Sequence, residues 1–361
     1  MTQKKNFVLR KFDPADIDGI IGLLNQVFKP VFTMDWWKMK YELNPNGFFG
    51  KDGDIWVAES ENKIVGHYAV IPEKIKFYEK VVDVAQSVDT ATHPDYRGMG
   101  MFSALAKKVY SEAMNRYVFL FGFPSEMAHG GFLKLGWKDL SSVPEHTKIL
   151  NYAAFTERKF KTPLYAQSGK LLLKAYSNLN HIPKILNTAK GANNEIQEVE
   201  RFPDEIDTFW KRVRTNYPII MERTSQFLNW KFSKQFGNYQ VFLARSVKEK
   251  AIIGYIVLKK TSHTIDIIDL ITLPNEEKAM LQLIDVAISN GKIGGADSIR
   301  CWFPKWDKSV STLKSKGFIS PRPLSLRNKY TPQLILYNFT PNGPVPNIKE
   351  WYYTYADTDY A

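Results

Sequence analysis

The chain has 361 residues, 49 Lys and Arg against 37 Asp and Glu, and a formal net charge of +12 at pH 7. That length is natural for two domains, and 44% hydrophobic with 14% aromatic residues describes a core-forming globular protein. One cysteine, Cys301, excludes a disulfide framework and fits a reducing compartment; no stretch approaches a membrane span, and no metal site is expected. The expectation is a soluble cytoplasmic protein. A basic tail or an aromatic RNA-binding signature is absent, so nucleic acid is not the expected partner. The charge then means attraction for an acidic ligand or simply a solvated basic surface.

In chain order, Asn6 to Lys11 reads as a strand, and Asp13-Pro14 caps a helix through Ile17, Ile20, Ile21, Leu24 and Phe28. Trp36 to Met39 continues a second short helix, stopped at Asn44-Pro-Asn-Gly47. Ile55–Glu59 and Ile64–Ile71 form a hairpin, and Lys74–Tyr78 with Val81–Val84 form another, turning at Glu79-Lys80. Gln86 to Thr92 is a strand ended by His93-Pro94-Asp95, because proline cannot continue a ladder. Phe102, Leu105, Ala106, Val109 and Ala113 then fall at helical spacing.

The turn between that strand and helix is a candidate anion site. Gly98 and Gly100 carry no Cβ, so backbone N–H groups from Gly98 to Ser103 can approach a phosphate, and Arg97 adds a full charge. A second apolar strand follows at Tyr117 to Phe123, then a helix from Ser125 to Leu135 with Gly136-Trp137 at its cap.

These residues resemble the GNAT superfamily of N-acetyltransferases, whose cofactor motif is Q/R-x-x-G-x-G/A after a strand. Arg97, Gly98 and Gly100 match; the last motif position holds Phe102, where Gly or Ala is usual. The resemblance covers residues 5 to 140. It implies acetyl-CoA as co-substrate, an acidic ligand of the expected kind. The implied cofactor residues are Thr90, Ala91, Thr92, Arg97, Gly98, Met99, Gly100, Met101, Phe102 and Ser103. It further implies that the strand at Thr90–Thr92 splays from the one at Val118–Phe121, so that the pantetheine arm pairs like an added strand and a backbone N–H polarises the thioester.

Direct transfer to an amine also needs a base. The family's usual Tyr aligns with Phe132 and its usual Asn with Ser125, so the candidates are Asp89, Glu126 and His129. Each has a structural reading too. Asp89 recurs as Asp269 in the second half, and a Glu in a first helical turn simply favours the helix dipole.

Residues 148–192 are basic, and Gly169 to Tyr176 reads as an amphipathic helix, either a connector or a surface for an acidic partner. Beyond it the chain repeats itself. Trp230-Lys-Phe232 echoes Trp37-Lys-Met39, Gly254 echoes Gly66, Ile268-Asp269 to Pro274 echoes Val88-Asp89 to Pro94, and Leu313 to Phe318 echoes Phe132 to Trp137. The copy lacks the glycines, and Glu277 stands where Arg97 stands. The last stretch, Trp351 to Ala361, is aromatic and acidic and is expected to pack as an edge strand or to return to a groove.

The expected class is α/β (α+β): two tandem GNAT-like domains, each a mixed, mostly antiparallel sheet flanked by helices. The boundaries are 1–147 for the acyl-CoA domain, 148–194 for the linker and 195–361 for a copy without the cofactor motif. The activity implied is acetyl transfer to a small-molecule amine such as an amino sugar or amino acid derivative. The alternatives are a FemABX-like aminoacyltransferase of cell-wall synthesis, which does not need the Arg-Gly-x-Gly cradle, and a non-catalytic acyl-CoA sensor.

Overall fold

The computed structural model describes residues 6–29, 31–47, 54–159, 171, 194–320, 330–340 and 343–359. Its contacts divide the chain into a first unit, Met1–Ser142 with Pro332–Ile348, and a second unit, Val143–Thr331 with Lys349–Ala361.

The first unit opens with β1 (Val8–Lys11). A 3-10 turn capped by Asp13 with Pro14 at its first position leads into α1 (Ile17–Val27), which buries Ile20, Leu23 and Leu24. Thr33 caps α2 (Met34–Trp37), which runs on as one π turn, Lys38–Glu42, burying Met39, Lys40 and Tyr41. Next come β2 (Ile55–Ser60), β3 (Lys63–Phe77) and β4 (Lys80–Thr92). The two expected hairpins therefore share one long strand, and the second turn lies at Tyr78-Glu79, with Tyr78 at φ 54°. Pro72 does not break β3 because β2 pairs with it only as far as Ala69.

Helix α3 (Met101–Ala113), β5 (Phe119–Gly122), α4 (Glu126–Lys134) and β6 (Lys138–Ser142) follow. The last strand of this sheet is β14 (Gln333–Asn338), from near the end of the chain; the order is β1-β2-β3-β4-β5-β14-β6. Along this order, among the described residues, β4 and β5 are the one parallel pair. Apolar clusters cover both faces of the sheet. On one, Leu105, Ala106 and Val109 of α3 pack on Val65, Tyr68 and Leu120; on the other, Ile20, Leu24 and Trp37 pack on Val57, Ala69 and Val88.

The second unit comprises β7 (Glu145–Ile149), α5 (Tyr152–Lys159), β8 (Glu195–Val199), α6 (Ile206–Val213), β9 (Ile219–Met221), α7 (Ser225–Lys231), β10 (Tyr239–Arg245), β11 (Ile252–Lys260), β12 (Thr264–Thr272), α8 (Glu277–Ile293), β13 (Ser298–Trp302) and α9 (Ser309–Ser315). Its sheet runs β7-β13-β12-β11-β10-β8, again with one parallel pair, β12 and β13.

The units exchange strands relative to the expected boundaries. Residues 143–149 enter the second sheet through β7, and residues 332–348, expected in the second domain, belong to the first unit. Lys148, expected in the linker, sits on β7, half-buried, donating to the Lys316 carbonyl at 2.6 Å. The expected helix at 169–176 lies, apart from Leu171, outside the described residues. The stretch from Trp351 is not an edge strand. Trp351 makes one bridge to Ile219, Tyr352 and Tyr353 are buried, and a 3-10 turn at Tyr355–Asp357 ends the described chain inside the second unit.

Candidate active site

Strands β4 and β5 pair at Ala85–Leu120 and Gln86–Phe121, and past that point their ladder stops while β4 runs on to Thr92. Thr90, Ala91 and Thr92 lie on this unpaired length, as expected. The far edge of β4 stays bonded to β3, but with a bulge. Between the pairs His67–Ala91 and Ala69–Val88, β4 spends two residues, Asp89 and Thr90, against one, Tyr68. Asp89 takes φ 47°, a left-handed conformation that aspartate tolerates better than most residues.

After His93 the chain makes a 3-10 turn at Pro94–Tyr96, and Gly98 and Gly100 take φ 78° and 77°. An ideal Cβ at either glycine has no atom within 4 Å, so the turn is bare on its outer side. Gly100 is the N-cap of α3 and offers no side chain to the helix, whose first N–H groups, at Met101, Phe102 and Ser103, look outward. Arg97 and Met99 are exposed beside them. A diphosphate fits this cradle: donors, a helix terminus, an arginine and open space coincide.

Two of the expected cofactor residues point elsewhere with their side chains. Met101 is buried against Gly66 in the sheet, and Phe102 leans on α4, its ring 5.2 Å from Phe132 and close over Gly131. The phenylalanine at the last motif position thus leaves the glycine turn uncovered. Of these two residues, the backbone N–H groups alone remain at the helix entrance.

The three candidate bases are not brought together. Asp89 is engaged: its Oδ2 lies 2.7 Å from Lys40 Nζ, with both side chains buried, and also accepts the Tyr41 hydroxyl. His129 Nε2 pairs with Asp139 Oδ1 at 2.7 Å on β6, and β14 separates β6 from β5. Glu126 is exposed in the first turn of α4, whose N-cap, Ser125, accepts the Ala128 N–H.

Sequence reasoning missed His67, Lys40 and Tyr41. His67 is fully buried, donates from Nδ1 to the Asp89 carbonyl at 2.8 Å, and leaves Nε2 without a partner. Burial lowers its pKa, keeping the ring neutral. Together the three hold the bulge of β4 through its side chain and its main chain. The one signal for them in the sequence is the recurrence of Asp89 as Asp269.

The second unit builds the same frame with different chemistry. Gly254 lies opposite Thr272 as Gly66 lies opposite Thr92, and β12 parts from β13 after Ile267–Cys301. Asp269 is buried and takes the Arg223 Nε–H at 2.9 Å, the Tyr255 hydroxyl at 2.6 Å and the Thr354 hydroxyl at 2.9 Å. Where the first unit has its glycine turn, this one has Asn275 at φ 65°, Glu276 as N-cap and Glu277 as the first residue of α8.

A mixed, mostly antiparallel sheet with helices on both faces, one splayed parallel pair and a bare glycine turn at a helix entrance defines a class of acyl-transfer fold. Residues 8–138 match the family model described as an acetyltransferase (GNAT) domain. The chain resembles three solved structures. A probable N-acyltransferase from Enterococcus faecalis V583 gives a TM-score of 0.61 at 14% identity, over 93% of this chain and 73% of that one. A GCN5-related N-acetyltransferase from Anabaena variabilis gives 0.59 at 14% identity, over 93% and 73%. Another from Kribbella flavida gives 0.56 at 12% identity, over 92% and 71%. At such identities the likeness establishes the fold alone. A search of curated protein sequences returns no match. Residues 8–138 of the first unit are thus similar to a GNAT acetyltransferase domain, in a chain long enough to hold a second domain.

Proposed function

We propose that the protein is an acetyl-CoA-dependent N-acetyltransferase that acetylates a small-molecule amine, such as an amino sugar or an amino acid derivative, by direct attack. The observation that carries this reading is the turn at Gly98 and Gly100, left-handed at both glycines and open where a Cβ would stand. The diphosphate of coenzyme A would rest on the N–H groups of Met101–Ser103 with Arg97 alongside. The pantetheine arm would run along Thr90–Thr92, where β4 has no partner on the β5 side. When bound, the coenzyme supplies an activated thioester; the chain's own part is to hold it and to offer a backbone N–H to the developing oxyanion.

Among the three candidate bases we assign proton removal to Glu126, because Asp89 is tied to Lys40 and His129 to Asp139. An exposed carboxylate in the first turn of α4 is reachable by the incoming ammonium or by a water that it polarises.

The test is thermal shift with acetyl-CoA followed by release of free thiol across a panel of amines. Stabilisation of the wild type but not of Gly100→Glu, with thiol release for at least one amine, supports the reading. Stabilisation without turnover on any amine would make the protein an acyl-CoA sensor. No response to any acyl-CoA would leave the aminoacyltransferase reading.

A further inference from the structure

The second unit holds a cavity of about 640 Å³ at the place where the first unit has its glycine turn. One wall is the end of β12 and the start of α8, with Glu276 and Glu277; the facing wall is the start of α9, with Trp306 and Asp307. Tyr217 and Tyr352, their rings 4.6 Å apart, complete an aromatic lining. The duplicated frame has therefore kept its cleft, and at a size ordinary for a small-molecule site.

The charge of that cleft has changed sign. Arg97 and two bare glycines greet an anion in the first unit, whereas here two glutamates occupy the helix entrance and already satisfy its positive end. Among the described residues no lysine or arginine forms an ion pair with Glu276, Glu277 or Asp307. Lys308 and Lys349 also border the cavity, but both are exposed. Asp307 is half-buried. Its Oδ1 accepts the Ser309 N–H at 2.8 Å, and burial raises its carboxyl above the ordinary range despite the neighbouring Lys308. A half-buried carboxylate in no ion pair, beside tyrosine and tryptophan rings, is the combination that holds an organic cation: the acid supplies charge, and the ring faces supply polarisable, apolar contact.

We propose that this cavity binds a small organic ammonium ion, its charge met by Asp307 and Glu276 and its carbon skeleton lying on Tyr217 and Trp306. The site is independent of acetyl transfer in the first unit. Glu277 stands in it where Arg97 stands in the first unit, and Lys278 and Met280 stand where the two glycines do.

Isothermal titration of the full chain tests this with three probes of one shape: 2-phenylethylammonium, neutral 2-phenylethanol and anionic phenylacetate. The expected result is saturable binding of the ammonium alone. Asp307→Asn, which keeps the acceptor for Ser309, should weaken it about tenfold, as the loss of one charge-assisted contact does. Glu276→Gln is the second variant, should the first not fold, and is expected to weaken binding as well. Absence of saturable ammonium binding overturns the proposal, as does equal binding of phenylacetate. Ammonium binding unchanged in folded Asp307→Asn and Glu276→Gln also overturns it, since the heat then comes from elsewhere. Thiol release from acetyl-CoA, measured separately, should be the same in both variants as in the wild type; its failure in all three would count against acetyl transfer and leave the titration result standing.

Discussion

Met101 Sδ occupies the space that a Cβ on Gly66 would fill, so the first residue of α3 is keyed against β3 near its start. The candidate phosphate cradle is thereby anchored to the sheet by a contact that a side chain at position 66 would force to shift. Ala58 Cβ and Leu105 Cδ1 would also stand 3.0 and 3.1 Å from such a Cβ. Gly66→Ala is expected to cost about 1–3 kcal/mol of stability through overpacking, read from urea unfolding, and to weaken acetyl-CoA binding by displacing the start of α3.

Gly100 gives the opposite combination. It has φ 77° and nothing within 4 Å of a Cβ, so Gly100→Ala meets conformational strain and no clash. A loss of about 1–2 kcal/mol in folding is expected. Gly100→Glu adds a negative charge where the diphosphate would lie. Acetyl-CoA should then give no thermal shift, while circular dichroism at low temperature remains that of the wild type.

Lys40 and Asp89 form a buried ion pair at 2.7 Å, with side chains 6% and 8% exposed. Removing one partner strands the other charge, so Lys40→Met is expected to destabilise by about 3–5 kcal/mol. Lys40→Met with Asp89→Asn should recover part of that loss, and a double-mutant cycle measures the coupling. If Asp89 acted instead as the base, Asp89→Asn would abolish turnover at an unchanged melting temperature.

His146 sets a pH dependence. It is buried, donates from Nε2 to the Phe303 carbonyl at 3.1 Å, and burial pushes its pKa down from 6.5 to about 4. Between those values the unfolded chain binds a proton that the folded chain refuses, so stability falls as pH drops through this window and levels off below it. The full loss is about 3 kcal/mol, of which about 2 is expected by pH 5. His67, lowered by burial too, acts in the same direction. Urea unfolding at pH 7 and pH 5 should show a smaller difference for His146→Gln than for the wild type.

Local signals carried much of the fold. Asp13-Pro14 announced α1, the glycine turn announced the entrance of α3, and Gly136, at φ 93°, closes α4 where a glycine cap was expected. Two hairpins were expected, with strands ending at Ile71 and resuming at Lys74, whereas the strand runs through, because β2 stops pairing before Pro72. The cradle was legible because it is built from backbone, and backbone needs announce themselves as glycines. The network around Asp89 was not, since Lys40, Tyr41 and His67 reach it from other elements and nothing in their own neighbourhoods marks them.

The order of residues by itself determined the glycine turn, the helix that leaves it, and the absence of such a turn at the matching place in the second half, all matters of neighbouring residues and short-range sterics. Only the tertiary structure decided that β14 completes the first sheet while β7 enters the second, because any apolar strand of suitable length satisfies a ladder wherever it comes from. It also decided that Asp89 is held by a lysine, and that the second unit keeps a cleft lined with acid. Burial and pairing are properties of what the folded chain brings near, and the linear chain does not contain them.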